Sequence, residues 1–492
     1  MTCATVNRLR FAACVGICSA AFPIAGCGSE SGPGGGVESF TGLSLVSGPS
    51  TFAPMCNGAP QPGTNYPNSK VEPFLAVDPI NPAHLIGVWQ QDRWSTTGSN
   101  GLITGVSWDG GRTWTRSFAH LSRCAGGSVS NGGDYERASD PWVTISRDGT
   151  AYQISVSFNA SGQAPFKAIL VSRSIDGGLN WSEPTALARD DQADFVLDKE
   201  TITADPDDAH LVYAVWDRLT EQTNPNPALA RGPTWFSRMS AGVWEAARAI
   251  YDPGVDAQTI SNQVVVLNGT LVNLFLLITN ASADAPDMHI AVLRSTDRGV
   301  TWSGPFIVEK SNSIGVFDPK SRRRIRSGQV VPSIAADPAA GKLYVTWQDA
   351  RFSNGTREGI ALSVSSDGGL TWSAPTQVNQ APRAHAFTPS IAVAQGGKLG
   401  ITYYDLRSDD PLDPNSLMTS YWLITSIDGG STWQETALAG PFNLRSALIG
   451  NMYFLGDYEG LAPYRDGFLP IFAVGRSGHP DDPMDIFVKA EG

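Results

Sequence analysis

The chain has 492 residues, among them 51 Gly, 33 Pro and 14 Trp, and only 17% of its residues are charged. Its formal net charge of −12 excludes a nucleic-acid backbone as the main partner, because there is no basic excess to replace counterions. Segments of helical period are scarce, so we expect an all-β protein of many short strands joined by Gly- and Pro-rich turns.

The N-terminus has the features of an export signal. Two arginines precede the mostly apolar run 11–24, which is too short to span a bilayer but suits a signal peptide. The run ends in Ile24-Ala25-Gly26-Cys27, which resembles the lipobox of bacterial lipoproteins and implies that Cys27 is lipidated; the alternative is an ordinary signal peptide with an incidental Cys. We therefore expect a signal peptide at 1–26, a Gly/Ser-rich flexible tether at 27–40 and one folded domain at 41–492. The protein would be exported and held at the cell envelope, on the outer membrane or the cell surface, by lipid alone.

Two cysteines remain in the expected folded domain. Cys56 and Cys124 form an even pair in an oxidising compartment, which favours a disulfide over two buried thiols. Two Cys without a nearby His do not make a metal-ligand set, so we expect neither a metal site nor a cofactor.

One eight-residue turn recurs along the chain, and we call its copies the repeat turns. Each has an Asp that can accept backbone N–H bonds, a Gly suited to positive φ, and a Trp that packs where the chain re-enters a strand. The copies are SWDGGRTW (107–114), SIDGGLNW (174–181), STDRGVTW (295–302), SSDGGLTW (365–372) and SIDGGSTW (426–433), with a degenerate SAGVW at 240–244. Such recurrence is typical of a repeat fold built from hairpins.

The pattern Ser-x-Asp-x-Gly-x-Thr-Trp resembles the Asp box of sialidases and related β-propellers. Four copies keep every position, and Asn180 replaces the Thr in the fifth. The resemblance covers nearly all of the chain after about residue 70 and implies a propeller fold. In that family the boxes lie on outer hairpins away from the catalytic centre, so we expect these Asp residues to be structural.

Seven strand-rich units follow one another along the chain. We expect each to contain an inner strand, a second strand ending near an Asp and an Arg, a third strand, a repeat turn and a fourth strand. The units begin near residues 73, 141, 201, 263, 332, 389 and 459. Their spacing suits one four-stranded blade each, which predicts a seven-bladed propeller. The alternative is six blades, with two units merged into one, as in the six-bladed sialidases.

The last unit ends before a turn of its own. It has three expected strands, and TGLSLVSG (41–48) is a free strand-like run that can supply the fourth. We therefore expect an N-terminal strand to close the propeller.

The starts of the inner strands carry the candidate catalytic residues. Aligning the units places Glu72, Asp140 and Tyr458 in one column, with Lys199, Val331 and Thr388 at the same position of other units. Side chains alternate along a strand, so residues of one column share one direction. If the neighbouring column faces inward instead, Glu200 and Glu459 become the candidates. Alternatively, all of these are polar residues that line a wet channel.

Resemblance to the sialidases implies a role for each residue of that column. Tyr458 would be a nucleophile, Glu72 its base and Asp140 the acid/base, which together hydrolyse a glycosidic bond with retention of configuration.

A second candidate set lies at the ends of the second strands. Asp92-Arg93, Asp217-Arg218, Asp349 with Arg351 and Asp405 with Arg407 recur from unit to unit. Recurrence favours structural ion pairs, whereas the resemblance implies arginines that bind a substrate carboxylate. The candidates for binding substrate are Arg93, Arg218, Arg351 and Arg407, together with Arg137 from the segment 132–142; Asp92 is an alternate site residue.

One departure from the sialidases limits this transfer. The family's first arginine stands in an Arg-Ile-Pro motif, and the matching place here reads Lys70-Val71-Glu72-Pro73.

The sequence thus predicts a monomeric glycoside hydrolase of sialidase type that acts on a carboxylated glycan. A non-catalytic surface propeller that binds a glycan or a protein is the first alternative. A polysaccharide lyase is the second, for which only His385 lies near the start of an inner strand.

Overall fold

The computed structural model describes residues 42–162, 164, 167–192, 195–220 and 231–489. The predicted signal peptide, the tether and Cys27 lie outside these residues, as does Thr41. Within the described residues the elements are β-strands and four short 3-10 turns, at Arg123–Ala125, Arg351–Ser353, Gln395–Gly397 and Leu444–Ala447. None of the described helices is long and apolar enough to cross a membrane. The expected all-β class is confirmed.

The strands form seven successive antiparallel units, each a meander in chain order, and a single pair, Ser99 opposite Ala138, joins the first two units into one eight-stranded sheet. The first three units contain β2 (Lys70–Val77), β3 (Leu85–Arg93), β4 (Ser99–Ser107) and β5 (Thr115–Ser117); β6 (Arg137–Ile145), β7 (Ala151–Phe158), β8 (Lys167–Ser174) and β9 (Thr185–Asp190); and β10 (Phe195–Ala204), β11 (Leu211–Thr220), β13 (Thr234–Ser240), β14 (Val243–Trp244) and β15 (Arg248–Tyr251). The fourth contains β16 (Ala257–Leu267), β17 (Thr270–Thr279), β18 (Asp287–Ser295) and β19 (Ser303–Lys310), with β12 (Arg231–Gly232) added in parallel to β16.

The remaining three units follow the same plan. They contain β22 (Ser333–Asp337), β23 (Lys342–Asp349), β24 (Gly359–Ser365) and β25 (Thr376–Gln377); β26 (Ala386–Ala394), β27 (Lys398–Asp405), β28 (Met418–Ser426) and β29 (Gln434–Asn443); and β32 (Gly460–Tyr464), β33 (Gly467–Gly475) and β34 (Met484–Val488). Each predicted unit start falls within its first strand or one residue before it.

The last unit takes its fourth strand from the N-terminal end of the domain, as expected. Strand β1 (Ser44–Leu45) pairs antiparallel with β34, with Ser44 opposite Val488 and Leu45 opposite Phe487. Beyond it, Ser47 Oγ donates to Asp485 at 2.7 Å and the Ile486 amide donates to Ser47 Oγ at 2.9 Å.

The first strands of the units lie side by side. Each first strand contacts the first strand of the next unit, in the order β2, β6, β10, β16, β22, β26 and β32. Strand β32 in turn contacts β2. Apolar side chains fill the space between neighbouring units, for example Trp89, Trp216 and Trp347 on second strands, each at most 2% exposed. This core holds the starts of the seven first strands in one region of the molecule.

The repeat turns join the third strand to the fourth in five units. At the first turn, Ser107 Oγ and Thr113 Oγ1 donate to the Asp109 carboxylate at 2.8 and 2.6 Å, and the Thr113 amide donates to it at 2.9 Å. Three of the other copies repeat the bond from the Thr hydroxyl to the Asp. In the fourth, Asn180 Nδ2 replaces the hydroxyl and donates to Asp176 at 2.7 Å. Each Asp therefore binds its own turn.

A small additional sheet packs against the units without belonging to any of them. It contains β20 (Val316–Phe317) and β21 (Arg324–Arg326), from the connection between units four and five, and β30 (Leu448–Ile449) and β31 (Met452–Phe454), which precede unit seven. Strand β21 runs parallel to β31. This pairing brings the connecting segment to the start of the seventh unit.

The expected disulfide is present. Cys56 and Cys124 are bonded, which joins the N-terminal arm to the segment ahead of unit two. Beside it, Arg123 binds Asp134 at 2.7 Å and its Nη1 donates to the Asn57 carbonyl at 3.0 Å. The segment 132–142 is therefore held against the N-terminal arm.

Candidate functional site

A β-bulge at the start of five first strands turns side chains out of the regular alternation. Glu72, Asp140, Lys199, Ser261 and Thr388 have φ between 51° and 67°, and the strand register shifts at each of them. Positive φ costs a non-Gly residue free energy and is found mostly where a side chain must be re-aimed. Four of these five residues belong to the column that the sequence alignment predicted.

Three of the bulge residues meet. Lys199 Nζ lies 2.5 Å from Asp140 Oδ1 and 3.8 Å from Glu72 Oε1, and all three residues are at least nine-tenths buried. Glu72 also accepts hydrogen bonds from Gln90 Nε2 and, at 3.2 Å, from the Asp457 amide.

Asp457 and Arg326 complete this group, which we call the central cluster (Glu72, Asp140, Lys199, Arg326, Asp457). Lys199 Nζ donates to Asp457 Oδ2 at 2.9 Å, and Arg326 binds the same carboxylate through Nε at 2.8 Å and through Nη2. Arg326 comes from β21, so the second cation of the cluster is supplied by the additional sheet and not by one of the seven units. Three carboxylates and Lys199 are thus buried together, and Arg326, whose side chain is 32% exposed, completes the group at Asp457.

Tyr458 lies at the edge of the central cluster. It is 7% exposed, and its hydroxyl donates to the Pro141 carbonyl at 3.0 Å. Its ring centroid is 5.9 Å from Lys199 Nζ, and the ring packs against Trp142. The structure therefore brings Tyr458 to both Asp140 and Lys199, with the hydroxyl bonded to backbone rather than to a carboxylate.

Burial and neighbouring charges separate the pKa values of these groups. Loss of water and then the charge of Asp140 raise the pKa of Glu72 to about 7, although Lys199 opposes the rise. Burial alone would raise the pKa of Asp140 too, but Lys199 holds it below its usual value. Burial would lower the pKa of Lys199, yet Asp140, Asp457 and Glu72 raise it well above the ordinary value. Near neutrality Glu72 thus exchanges its proton while its neighbours stay charged.

The same environment keeps the Tyr458 hydroxyl protonated. Burial, followed by the charges of Glu72 and Asp140, raises its pKa well above the usual value. Any reaction that needs the phenolate requires a base to take the proton as the bond forms.

The alternates from the neighbouring column are buried acids with few partners. Both carboxylate oxygens of Glu200 lack a hydrogen bond, and burial followed by the charge of Asp140 raises its pKa well above the usual value. Glu459 accepts from the Ala473 amide at 3.0 Å, and burial raises its pKa in the same way.

Asp92 accepts from Ser50 Oγ at 2.6 Å and from the Asn68 amide at 2.8 Å, so it fastens the N-terminal arm.

The five candidate arginines do not meet at one point. Arg93 is the one beside the central cluster: it is 3% exposed, donates to Gln90 at 2.6 Å and lies over the Phe454 ring. Arg137 donates to Thr96 and to the carbonyls of Thr97 and Pro62.

The other three arginines bind carboxylates of their own or the preceding unit. Arg218 pairs with Asp190 at 2.7 Å, Arg351 with Asp349 at 2.9 Å, and Arg407 with Asp405 and with Glu435 at 2.6 Å. This bonding suits the structural interpretation of the recurring Asp and Arg residues.

Sequence reasoning missed three members of the site. Lys199 was placed in the predicted column, but no role was assigned to it. Asp457 was not considered, although it directly precedes Tyr458. Arg326 lies in the basic run Ser321–Arg326, whose four arginines are the signal that could have drawn attention to it. No group of three or more His, Cys, Asp or Glu residues suited to a metal ion occurs within the described part of the chain.

Comparison with known proteins gives a partial sequence match. No family model matches the chain. A sialidase of Bacteroides fragilis (strain YCH46) is 26% identical over 210 residues, which make up 40% of this chain and 37% of that protein. The chain therefore matches well under half of its curated relative.

Solved structures of glycosidases show a weak likeness. A Hadza microbial sialidase is 16% identical with a TM-score of 0.42, covering 86% of this chain and 66% of that one. The sialidase of Trypanosoma rangeli in complex with sialic acid is 13% identical with a TM-score of 0.43, covering 77% and 56%. An α-L-arabinanase of Penicillium chrysogenum complexed with arabinobiose is 11% identical with a TM-score of 0.45, covering 91% and 97%. Scores below 0.5 carry no argument about function. What the comparisons establish is therefore a partial sequence similarity to a sialidase.

Proposed function

We propose that this chain is a seven-bladed β-propeller and a glycoside hydrolase of sialidase type that acts on a carboxylated glycan with retention of configuration. The ring order of the seven first strands and the pairing of β1 with β34 support the blade count. The 210-residue similarity to a sialidase supports hydrolysis of a glycosidic bond. We further propose an exported monomer anchored through Cys27.

The observation that carries the activity is the central cluster beside Tyr458. The Tyr458 hydroxyl donates to the Pro141 carbonyl beside Asp140, and its ring lies 5.9 Å from Lys199 Nζ. With a Glu of pKa about 7 in the same site, this tyrosine supplies a nucleophile and the Glu a group that exchanges protons near neutrality.

In the proposed reaction, the Tyr458 oxygen forms a bond to the anomeric carbon while Glu72 takes the hydroxyl proton. The bond from that carbon to the leaving oxygen breaks, and Asp140 gives a proton to the leaving oxygen. Water then attacks the same carbon and gives its proton to Asp140, and Glu72 returns a proton to the departing tyrosine oxygen. Two displacements at one carbon retain its configuration.

Asp140 must gain a proton before it can act as the acid. In the unliganded protein Lys199 keeps it ionised at 2.5 Å. A substrate carboxylate would compete for Lys199 and Arg326 and so weaken their hold on Asp140 and Asp457. This is a physical reason to expect a carboxylated sugar rather than a neutral one.

The test is hydrolysis of sialyl and uronic-acid glycosides by the purified protein, with Tyr458→Phe as the variant. The change deletes only a hydroxyl, so turnover should fall by at least about a thousandfold while the fold is kept. Tyr251→Phe, on β15 far from the central cluster, is the matched control and should leave turnover unchanged.

A second candidate function is a glycan-binding propeller without catalysis. It is favoured by the neutralisation of the central cluster, in which Lys199 and Arg326 already have carboxylate partners. Saturable binding of a sialylated or uronic-acid glycan without any turnover would establish this function and reject the hydrolase.

A further inference from the structure

A cavity of about 660 Å³ lies where units five and six meet, apart from the central cluster. Its polar lining is mainly cationic, with Arg357, Arg383 and Arg407 around His385, whereas Pro319 and Leu406 are among its apolar walls. A cavity of this size accommodates one or two sugar residues.

Two of the three arginines have no counter-ion. Arg407 is neutralised by Asp405 and Glu435, and Asp409, the acidic residue of the lining, is bound by Lys320 at 2.8 Å. Arg357 Nε is buried without a hydrogen bond, and neither Arg357 nor Arg383 forms an ion pair with any residue in the described ranges. Four cations, including Lys320, thus face three carboxylates, and the cavity carries an excess of about one positive charge.

His385 adds a neutral donor. Its Nδ1 accepts a hydrogen bond from the Glu358 amide at 3.2 Å, which leaves Nε2 as the N–H. Burial, Arg357 and Arg322 lower the pKa of His385 to about 4, so the ring is uncharged at neutral pH. The lining thus offers N–H donors without a free carboxylate to compete for them.

We propose that this cavity binds the carboxylate of an acidic sugar residue. Guanidinium groups bind carboxylates with two parallel hydrogen bonds, and the Pro and Leu walls suit the C–H faces of a pyranose ring. The site is separate from the central cluster and does not depend on hydrolysis.

One short segment connects the two places. Lys320 binds Asp409 at the cavity, and six residues later Arg326 binds Asp457 in the central cluster. Six residues of extended chain span at most about 21 Å, so the Cα atoms of Lys320 and Arg326 lie no further apart than that.

The experiment measures calorimetric binding of glucuronate, glucose and inorganic sulfate to the whole protein at low salt. Glucuronate should bind saturably and glucose should not, since the two differ in the carboxylate. Arg357→Met with Arg383→Met should weaken glucuronate binding at least about tenfold. Arg383 is exposed, so Arg383→Met alone keeps the test available if the double variant does not fold.

A further variant is the matched control. Arg298→Met, at a repeat turn where Arg298 pairs with Asp208, should leave glucuronate binding unchanged. Binding is measured here without any turnover, so a failure of hydrolysis and a failure of this proposal are distinguishable. Equal binding of glucose and glucuronate, or unaltered binding by the arginine variants, would overturn the proposal. Sulfate that binds as tightly as glucuronate would reduce the cavity to a simple anion site and would overturn the assignment to a sugar.

Discussion

Carboxylates at the repeat turns and in the central cluster have opposite environments. At the turns, hydrogen bonds from a Thr or Asn side chain and from backbone amides outweigh slight burial, and the pKa of Asp109, Asp176, Asp297, Asp367 and Asp428 falls to about 2. In the cluster, burial raises the pKa of Glu72 to about 7. The turn carboxylates are satisfied locally and stay ionised, whereas the cluster carboxylates depend on cations from distant parts of the chain.

This difference separates structural carboxylates from candidate functional ones. A turn Asp finds its partners within four residues, so its motif can recur without regard to the rest of the fold. Glu72 lies 385 residues from the amide of Asp457 that it binds. Carboxylates that need such distant partners are the ones whose pKa values are available for chemistry.

The largest expected effect comes from removing the shared cation of the cluster. Lys199→Met leaves Asp140 and Asp457 without their ammonium partner in a buried site, which should cost on the order of 3–5 kcal/mol of unfolding free energy. Urea denaturation at pH 7 measures it. Lys310→Met breaks the exposed pair with Asp287 and is the control, with an expected cost far smaller than that of Lys199→Met because solvent screens the pair. Equal costs for the two variants would remove the contrast between centre and periphery.

The second effect is a change in how stability depends on pH. Glu72 has a raised pKa in the folded protein, so folding takes up a proton between about pH 4.5 and 7 and this group destabilises the fold as pH rises through that range. Glu72→Gln removes this pH-dependent loss of folding stability. The variant should gain stability relative to the native protein from pH 4.5 to 7 and then keep a constant advantage. A difference that does not change with pH would contradict the raised pKa.

A smaller effect is expected at a repeat turn. Asp367 accepts from the amides of Leu370 and Thr371 and from two hydroxyls, and Asp367→Ala leaves the amides to water at a cost of about 1 kcal/mol. Thermal unfolding at pH 7 measures it. Because the folded-state pKa is depressed, this stabilisation is complete above about pH 4 and is lost as pH falls towards 2. The native protein and the variant should therefore converge in acid, and a gap that persists at pH 2 would show that the carboxylate charge is not involved.

The smallest effect tests the one natural departure from the turn pattern. Asn180 Nδ2 donates to Asp176 at 2.7 Å, where Thr371 Oγ1 donates to Asp367 at 2.6 Å. Thr371→Asn should therefore change the unfolding free energy by less than about 0.5 kcal/mol, whereas Thr371→Val, which cannot donate, should cost more. A larger loss for Asn than for Val would contradict the equivalence of the two turns.

Local patterns predicted most of the fold. The unit starts, the repeat turns and the disulfide all depend on short-range signals or on a pair count, and the structure has each of them. The shared position of Glu72, Asp140 and Lys199 was predictable because one register position recurs in their first strands, whereas Tyr458 lies just ahead of its strand, β32.

The remainder of the site depends on contacts between distant segments. Lys199 could be placed in the column, but that it binds three carboxylates at once follows only from the packing of several units. Arg326 reaches the cluster because β21 pairs with β31, and nothing in either short strand predicts that partner. The sequence likewise could not show whether Arg351 and Arg407 form local ion pairs or converge on one substrate carboxylate, because both arrangements need the same residues.

The pairing of β1 with β34 also sets an order of events during synthesis. Ser47 and Asp485, which bond beside this pair, are 438 residues apart, so closing that loop costs about 5 kcal/mol of chain entropy, which the surrounding contacts must offset. Strand β1 is synthesised before β34 and must remain unpaired until β34 has been made. Until β1 pairs with it, β34 has an exposed edge in the seventh unit. We therefore expect this sheet to be the last that the nascent chain completes.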